Sequence, residues 1–352
     1  MTFIDQLHSF LGDVAAQFGL PEMPLIVTKL VWWLVASVLL FTVALTIGGL
    51  FTWVFRRLFA FFGLRKGPNR VGPEGMLQFL ADGIKLLTKE DLLPSKADKW
   101  TYRLAPYVVV VPFVLAWAPL PWSDVIIFSN LAYGVVFILA VSALPPLGEL
   151  MAAWGSNNKY SMYGGIRAAA LDFSYEIPLV ISAASIVLLV GGLDTQGAVM
   201  AQQGYWFGFI PKWFVFPQII GAFIFFVSLL AKTGIIPTDL GESESELISG
   251  LTTEYSGMRF GFFFVAMFSG IFFLSALTVT FFFGGWTGPG FLPPLVWFLL
   301  KTFGLVFLVF WIWVTLPRFR VDQFLNYAWK TLFPLSILNL VIAVALKVWG
   351  VY

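Results

Sequence analysis

Apolar runs of about 20 residues recur along the whole chain, and they constrain its fold more than any other feature. A helix needs roughly 20 mostly apolar residues to cross a hydrocarbon core of about 30 Å. Eight such runs occur, at residues 25–55, 103–121, 130–154, 168–191, 212–231, 258–283, 294–316 and 330–349. Only 11% of the 352 residues are charged and 59% are hydrophobic, whereas soluble proteins are about a quarter charged. The sequence therefore predicts an all-α polytopic membrane protein with about eight transmembrane helices.

One membrane domain is predicted to account for residues 1–352, with three segments outside the spans. Residues 1–24 carry acidic Asp5 and Asp13 where a signal peptide would be basic, which favours a short amphipathic helix lying along the membrane. Residues 56–102 and 232–257 form the two long polar loops. Prolines at 106 and 112 and at 145 and 146 are predicted to kink the second and third spans.

The distribution of basic residues predicts the orientation. Seventeen of the 21 Lys and Arg residues lie in the loops on one side of the predicted membrane, and such residues accumulate in cytoplasmic loops. Both termini are therefore predicted to lie on the non-cytoplasmic side. Because the basic residues are spread over several loops and form no single stripe, nucleic acid is not an expected partner.

The chain contains no Cys and a single His, His8. Thiolates and imidazoles are the usual ligands of iron-sulfur clusters, haem and zinc. We therefore expect no metal site and no cofactor bound by this chain, and any electron transfer would take place in another subunit.

The loop at residues 66–91, KGPNRVGPEGMLQFLADGIKLLTKED, combines two tight turns with an amphipathic helix. Gly and Pro at 67–68 and 72–73 favour the turns. The helix would carry apolar residues on one face and polar ones on the neighbouring face: Leu77, Leu80, Ile84 and Leu87, against Gln78, Asp82, Lys85 and Lys89. A basic loop that merely obeys the orientation rule would explain the charges but not the order of turns and helix.

The loop at residues 235–257 is acidic, with carboxylates at Asp239, Glu242, Glu244, Glu246 and Glu254. Crowded carboxylates that are partly buried have raised pKa values, so the group is a candidate proton path. A solvated acidic loop and a contact surface for a basic partner are the alternatives.

Asp172 and Glu176 lie within the fourth span, four residues apart and so on one helical face. Glu149 lies late in the third span. Ionisable residues inside a membrane usually face a polar cavity and mark an ion path. Snorkelling to the interface is the alternative for all three.

Five segments resemble successive signature segments of one membrane-subunit family of NADH-quinone oxidoreductase, that of the H subunit, whose mitochondrial counterpart is NADH dehydrogenase subunit 1. They are GPNRVGPEGMLQFLADGIKLLTKED, GSNNKYSMYGGIRAAALDFSYEIPL, ESELISGLTTEYSGM, FFFGGW and LPRFRVDQFLNYAWK. They follow the family order and extend from the first span to the last.

The resemblance implies a membrane subunit of respiratory complex I that forms the membrane end of the quinone chamber and couples quinone reduction to proton translocation. By position, Arg56, Arg65 and Asp82 would line the quinone access route. The proton path would contain Asp172, Glu176, Asp239, Glu242, Glu244, Glu246 and Glu254. Quinone would be the substrate, and FMN and iron-sulfur clusters would reside in partner subunits.

The resemblance also implies the partners and the membrane. The partners would be the peripheral-arm iron-sulfur and quinone-site subunits, the small membrane subunits, the antiporter-like subunits and membrane lipid. The membrane would be a bacterial or archaeal plasma membrane or an organellar inner membrane.

The chain departs from the family pattern at charged and polar positions. Phe55 replaces a Glu, Gly63 a Gln, Lys232 a Glu, Met267 a Glu and Trp313 an Arg. Ile235 and Thr238 likewise replace an Arg and a Phe. Either the lost charges compensate one another, with Asp172 and Glu149 supplying another route, or the chain is a divergent paralogue with weakened pumping.

Two other classes of function are compatible with the sequence. One is the equivalent subunit of a related membrane complex fed by reduced ferredoxin or joined to a hydrogenase. The other is a stand-alone secondary transporter, which fits less well because no paired broken helices are apparent.

Overall fold

The fold is a bundle of long helices, seen in a computed structural model that describes residues 25–206 and 210–350. The predicted helix within residues 1–24 lies outside the described residues. The helices are α1 Leu25–Phe62, α2 Gln78–Thr88, α3 Lys99–Ala116, α4 Gly134–Ser142, α5 Pro145–Gly155, α6 Lys159–Val190, α7 Thr195–Met200, α8 Ile219–Lys232, α9 Glu244–Leu247, α10 Gly257–Phe282, α11 Pro294–Thr315, α12 Val321–Tyr327 and α13 Phe333–Val348. Strands β1 Tyr205–Trp206 and β2 Ile210–Pro211 form a short antiparallel pair.

Six helical segments of the described chain are long and apolar enough to cross a membrane. They are Trp33–Phe62, Gly134–Gly155, Lys159–Val190, Gly257–Phe282, Pro294–Thr315 and Val321–Val348. The other two predicted spans correspond to α3, whose first turns carry Lys99 and Arg103, and to α8, which has only 14 residues. The prediction of an all-α polytopic membrane protein is confirmed.

Several helix boundaries differ from the predicted spans. Helix α6 begins at Lys159, not at residue 168, because the Asn158 side chain accepts a hydrogen bond from the Tyr160 N–H at 2.9 Å and caps the helix. Helix α3 begins at Lys99 because Asp98 caps it, and a hydrogen bond from Thr101 lowers the pKa of Asp98.

Two further boundaries were wrong by several residues. Helix α8 begins at Ile219, not at residue 212, because residues 210 and 211 form strand β2. The last span begins at Val321, not at residue 330, since a π-helical turn at Ala328–Leu332 joins α12 to α13. Helix α1 continues to Phe62.

The prolines act on the two spans in different ways. Pro145 and Pro146 divide the third span into α4 and α5, because proline cannot donate the hydrogen bond that continues a helix. Pro106 and Pro112 are both accommodated inside α3.

Helix α10 lies at the centre of the bundle. It is the most buried of the six candidate spans, with 78% of its apolar window buried. Aromatic rings from other elements surround it: Phe272 of α10 contacts Phe51 of α1 at 5.4 Å between ring centroids and Trp117, just after α3, at 5.6 Å. Helices α1, α3, α8 and α11 all pack on α10.

Glycines allow α3, α5 and α6 to approach one another closely. A Cβ atom at Gly148 of α5 would lie 2.9 Å from the backbone N of Val109 and 3.1 Å from the carbonyl O of Ala105, both in α3. A Cβ at Gly165 of α6 would overlap Ala153 of α5. Small residues drive helix association in a membrane because lipid supplies no hydrophobic force between helices.

The close approach at Gly148 predicts a destabilising effect of any side chain there. Gly148→Val should lower the thermal unfolding temperature of the detergent-solubilised protein, since overpacking costs roughly 1 to 3 kcal/mol. Gly304→Val in α11 is the matched control, because a Cβ there meets nothing within 4 Å. Equal unfolding temperatures for the two variants would contradict the close α3–α5 contact.

Candidate functional site

A buried cavity lies where α3, α5, α6, α10 and the segment after α8 meet. Its volume is about 80 Å³, and a water molecule needs roughly 10 to 15 Å³ on this measure, so it has room for several. Its ionisable lining residues are Glu149 of α5, Asp172 of α6, Lys232 of α8, and Asp239 and Glu242 of the loop that follows α8. The cavity thus collects charged groups from four separate segments.

Lys232 and Glu176 form a buried ion pair beside this cavity. The Lys232 Nζ donates to Glu176 Oε2 and lies 3.4 Å from the Ser142 Oγ. The Lys232 side chain is only 3% exposed and that of Glu176 15%. Glu176 Oε1 is buried and accepts no hydrogen bond among the described residues.

Asp172 lies one helical turn before Glu176 and faces the cavity. It is 7% exposed, and no hydrogen bond or ion pair links its carboxylate to any residue in the described part of the chain. Glu149 also lines the cavity from α5. Glu149 and Asp172 therefore line one cavity, with Glu176 beside it.

The acidic loop divides into two parts. Asp239 and Glu242 line the cavity, and Arg318 donates to Asp239 Oδ2 at 2.6 Å. Glu246 instead pairs with Arg167 at 2.5 Å, and Glu254 accepts a hydrogen bond from Asn158 at 2.5 Å. Neither of these last two carboxylates lines the cavity, and the side chain of Glu244 lies outside the described residues.

Two stacked tyrosines tie the end of the acidic loop to α3. The rings of Tyr102 and Tyr255 are 4.2 Å apart and almost parallel. The Tyr255 hydroxyl donates to the Tyr102 carbonyl at 3.0 Å, and the Tyr102 hydroxyl donates to the Glu254 carbonyl at 2.7 Å. Burial raises the pKa of Tyr255, so its hydroxyl keeps the proton that it donates.

Two of the three quinone residues suggested by the sequence, Arg56 and Arg65, line a cleft at the end of α1, and the third, Asp82, does not line it. Arg56 and Arg65 both line a cleft of about 370 Å³, together with Phe55, Phe59 and the turn at residues 66–68. Arg56 also forms an ion pair of 2.6 Å with Asp82 of α2. Arg65 lies 5.8 Å from the Phe59 ring centroid, a cation–π geometry.

The predicted amphipathic helix is present as α2, and its apolar row points away from the protein. Leu80, Ile84 and Leu87 are all exposed. Phe79 lies against Gly49 of α1, and Leu86 lies against Gly261 of α10. An exposed apolar row on a helix attached to a membrane bundle is suited to the lipid interface.

Two departures from the family pattern lie in direct contact. The rings of Phe55 and Trp313 stack with their centroids 4.0 Å apart, and Phe55 also packs on Phe268 of α10 at 5.7 Å. A third departure, Lys232, forms an ion pair with the Glu176 carboxylate. A fourth, Met267, lines the cavity.

Sequence reasoning missed the basic partners of the acidic groups. In the sequence, Arg318 and Arg167 indicate only the orientation, and Lys232 is only a departure from the family pattern. Lys232 gave a usable signal, because it ends an otherwise apolar run, and ionisable residues at such positions are commonly functional. The sequence contains no comparable signal for Arg318, because its partner Asp239 is 79 residues away.

Within residues 25–206 and 210–350, no group of three or more His, Cys, Asp or Glu side chains has a geometry able to hold a metal ion. The polar contacts described above are ion pairs and hydrogen bonds. Charged groups enclosed by long apolar helices define a multi-pass membrane protein with an internal polar site.

The chain belongs to the NADH dehydrogenase family, whose model matches residues 34–344. It is 44% identical over 309 residues to the H subunit of NADH-quinone oxidoreductase from Dehalococcoides mccartyi, covering 88% of this chain and 85% of that protein. It is 43% identical to the H subunit numbered 1 from Rhodopseudomonas palustris, covering 88% of this chain and 94% of that protein. It is 44% identical to the H subunit numbered 2 from Geobacter sulfurreducens, covering 86% of this chain and 93% of that protein. The resemblance noted in the sequence is confirmed.

The Tyr255 hydrogen bond yields a stability prediction. Tyr255→Phe keeps the ring stack but removes the donor to the Tyr102 carbonyl, which should cost about 1 kcal/mol and lower the thermal unfolding temperature. Tyr133→Phe, at an exposed tyrosine, is the matched control and should leave the temperature unchanged. Identical behaviour of the two variants would rule out a stabilising role for the bond.

Proposed function

We propose that the chain is the membrane subunit of a proton-translocating NADH-quinone oxidoreductase, in which it forms the membrane end of the quinone chamber and couples quinone reduction to proton movement. The observation that carries the proposal is the internal cavity. It gathers Glu149, Asp172, Asp239 and Glu242 around the buried amine of Lys232. The names and the high coverage of the relatives support the same assignment.

The cleft lined by Arg56 and Arg65 is the proposed quinone access site. Its volume of about 370 Å³ falls within the range of roughly 300 to 1,000 Å³ typical of small-molecule sites. Phe55 and Phe59 offer apolar walls for the ring and tail, and the guanidinium groups are donors for the quinone oxygens. Asp82 fixes the Arg56 guanidinium by their ion pair. Quinone would arrive from the bilayer between α1, α10 and α2.

Reduction of the quinone is proposed to occur through an iron-sulfur cluster of a neighbouring subunit. The residues of this chain then have two tasks: Arg56 and Arg65 hold the headgroup as it gains negative charge, and the cavity carboxyls accept and release protons. A charge arriving in the cleft acts on the cavity through a low-dielectric layer, where electrostatic interactions are strong.

The first loop and the acidic loop are proposed to face the cytoplasm, with both termini on the opposite side and the whole chain forming one membrane domain. The turn after α1 is a suitable docking point for a peripheral subunit, because Leu64 is 98% exposed in the middle of a basic loop. Other membrane subunits would cover the exposed faces of the bundle. The NADH-binding and flavin-bearing functions belong to partners.

A first test concerns the cavity. In membrane vesicles that contain the complex, Asp239→Asn combined with Glu242→Gln should lower the number of protons moved per NADH oxidised, because two carboxyls of the cavity can no longer ionise. Asp124→Asn, at an exposed loop position, is the control. An unchanged proton-to-electron ratio in the double variant would sink the proposed coupling role.

A second test concerns the cleft. Arg65→Ala should reduce the rate of quinone reduction several-fold and raise the KM for quinone, because the cleft loses a donor, while the assembled complex persists on native gels. Arg70→Ala removes a basic residue from the same loop outside this cleft and should have little effect. Full activity of the Arg65 variant would remove Arg65 from the quinone site.

A further inference from the structure

Lys232 is the one basic side chain among the described residues that line the cavity. It is the last residue of α8, and its side chain reaches past Ser142 of α4 to Glu176 of α6. A lysine held this deeply inside a membrane bundle needs a counter-ion, because an unpaired buried charge is very costly. The position of the ammonium group therefore determines which nearby carboxyl is ionised at low cost.

A second carboxylate is available to the same ammonium group. Asp172 lies one turn from Glu176 on the same face of α6, and side chains four residues apart on a helix are about 5 to 6 Å apart. Asp172 is largely buried, since only 7% of it is exposed, and it has no hydrogen-bond or ion-pair partner among the residues described. A lysine side chain has four flexible carbons, and Lys232 lines the same cavity as Asp172.

The existing ion pair is also incompletely satisfied. Glu176 Oε1 is buried without a hydrogen-bond partner in the described part of the chain. A buried ion pair compensates its desolvation only when the remaining lone pairs are also satisfied. The pairing with Glu176 thus leaves one carboxylate oxygen unsatisfied, and a second acid, Asp172, lines the same cavity as the amine.

We propose that the Lys232 ammonium is a movable counter-ion that alternates between Glu176 beside the cavity and Asp172 in its wall, and that the carboxyl it leaves takes up a proton. The ammonium keeps all its own protons. At the vacated carboxylate an O–H bond forms, with the proton coming from a hydronium ion that reaches the pair. The carboxyl that gains the ammonium breaks its O–H bond and passes that proton to a water molecule, which for Asp172 is in the cavity that it lines. No electron is transferred within this chain.

Charged groups from every neighbouring element bias this exchange. Glu149 faces the cavity from α5, and Asp239 and Glu242 face it from the loop after α8. Arg318 forms an ion pair with Asp239. Since Lys232 is the mobile cation, a change in charge at Asp239 or Glu242 favours one of its two positions, and this is how the loop would drive the exchange.

The inference rests on the proposed function for its role in proton movement, but its test does not. The assembled complex is purified with Glu176→Gln, Asp172→Asn or both, and its thermal unfolding temperature is measured. With either single change Lys232 retains one carboxylate, so each should lower the temperature only slightly. The double change leaves the lysine buried without either partner and should lower it by several degrees more than the two single effects added together.

A third change keeps the test informative if the double variant fails to assemble. Adding Lys232→Met removes the unpaired charge, and assembly and thermal stability should return. A lysine that serves Glu176 alone gives a different pattern, in which Glu176→Gln causes the full loss and Asp172→Asn adds nothing. That pattern overturns the alternation. The alternation is also overturned if the effects of Glu176→Gln and Glu149→Gln on the unfolding temperature are non-additive while those of Glu176→Gln and Asp172→Asn are additive.

Proton transport measured on the same variants separates this inference from the proposed function. Additive unfolding temperatures together with a lowered proton-to-electron ratio in the Asp239 and Glu242 double variant would reject the movable lysine and retain the coupling role. Non-additive temperatures with an unchanged ratio in every cavity variant would reject the coupling role and retain the shared lysine.

Discussion

The ion pair of Lys232 with Glu176 is the interaction on which the internal site depends. A charge within the apolar bundle is tolerated only where an opposite charge or a polar cavity meets it, and α8 ends with a lysine whose side chain is only 3% exposed. Ser142, Glu176 and the cavity together provide that environment. The break at Pro145 and Pro146 and the glycine contacts between α3, α5 and α6 bring these groups close enough to share one space.

The departures from the family pattern are easier to understand as contacts than as single substitutions. Phe55 and Trp313 are two positions at which the resemblance implies a departure, and their rings stack. Well-packed apolar groups at both positions leave no uncompensated charge, whereas a single charged residue there would be buried without a partner.

The sequence predicted the class of fold and most of its helices, because the signal for each was local. Apolar runs, prolines 145 and 146, and the amphipathic spacing after Gly72 all act within about 20 residues. The first residues of α6 and α8 were not predicted correctly, since they depend on the Asn158 cap and on a strand pair. The pairing of Asp239 with Arg318 and the meeting of Lys232 with Glu149 and Asp172 join distant segments, so only the folded arrangement reveals them.

The proposed quinone cleft and the proton cavity lie on two sides of α10. Phe55 lines the cleft and packs on Phe268, whereas the adjacent residue, Met267, lines the cavity. The rings of Phe55, Trp313 and Phe268 pack against one another, and neither these residues nor Met267 carry a titratable group. Under the proposed function, a charge in the cleft would act on the cavity electrostatically across these apolar side chains.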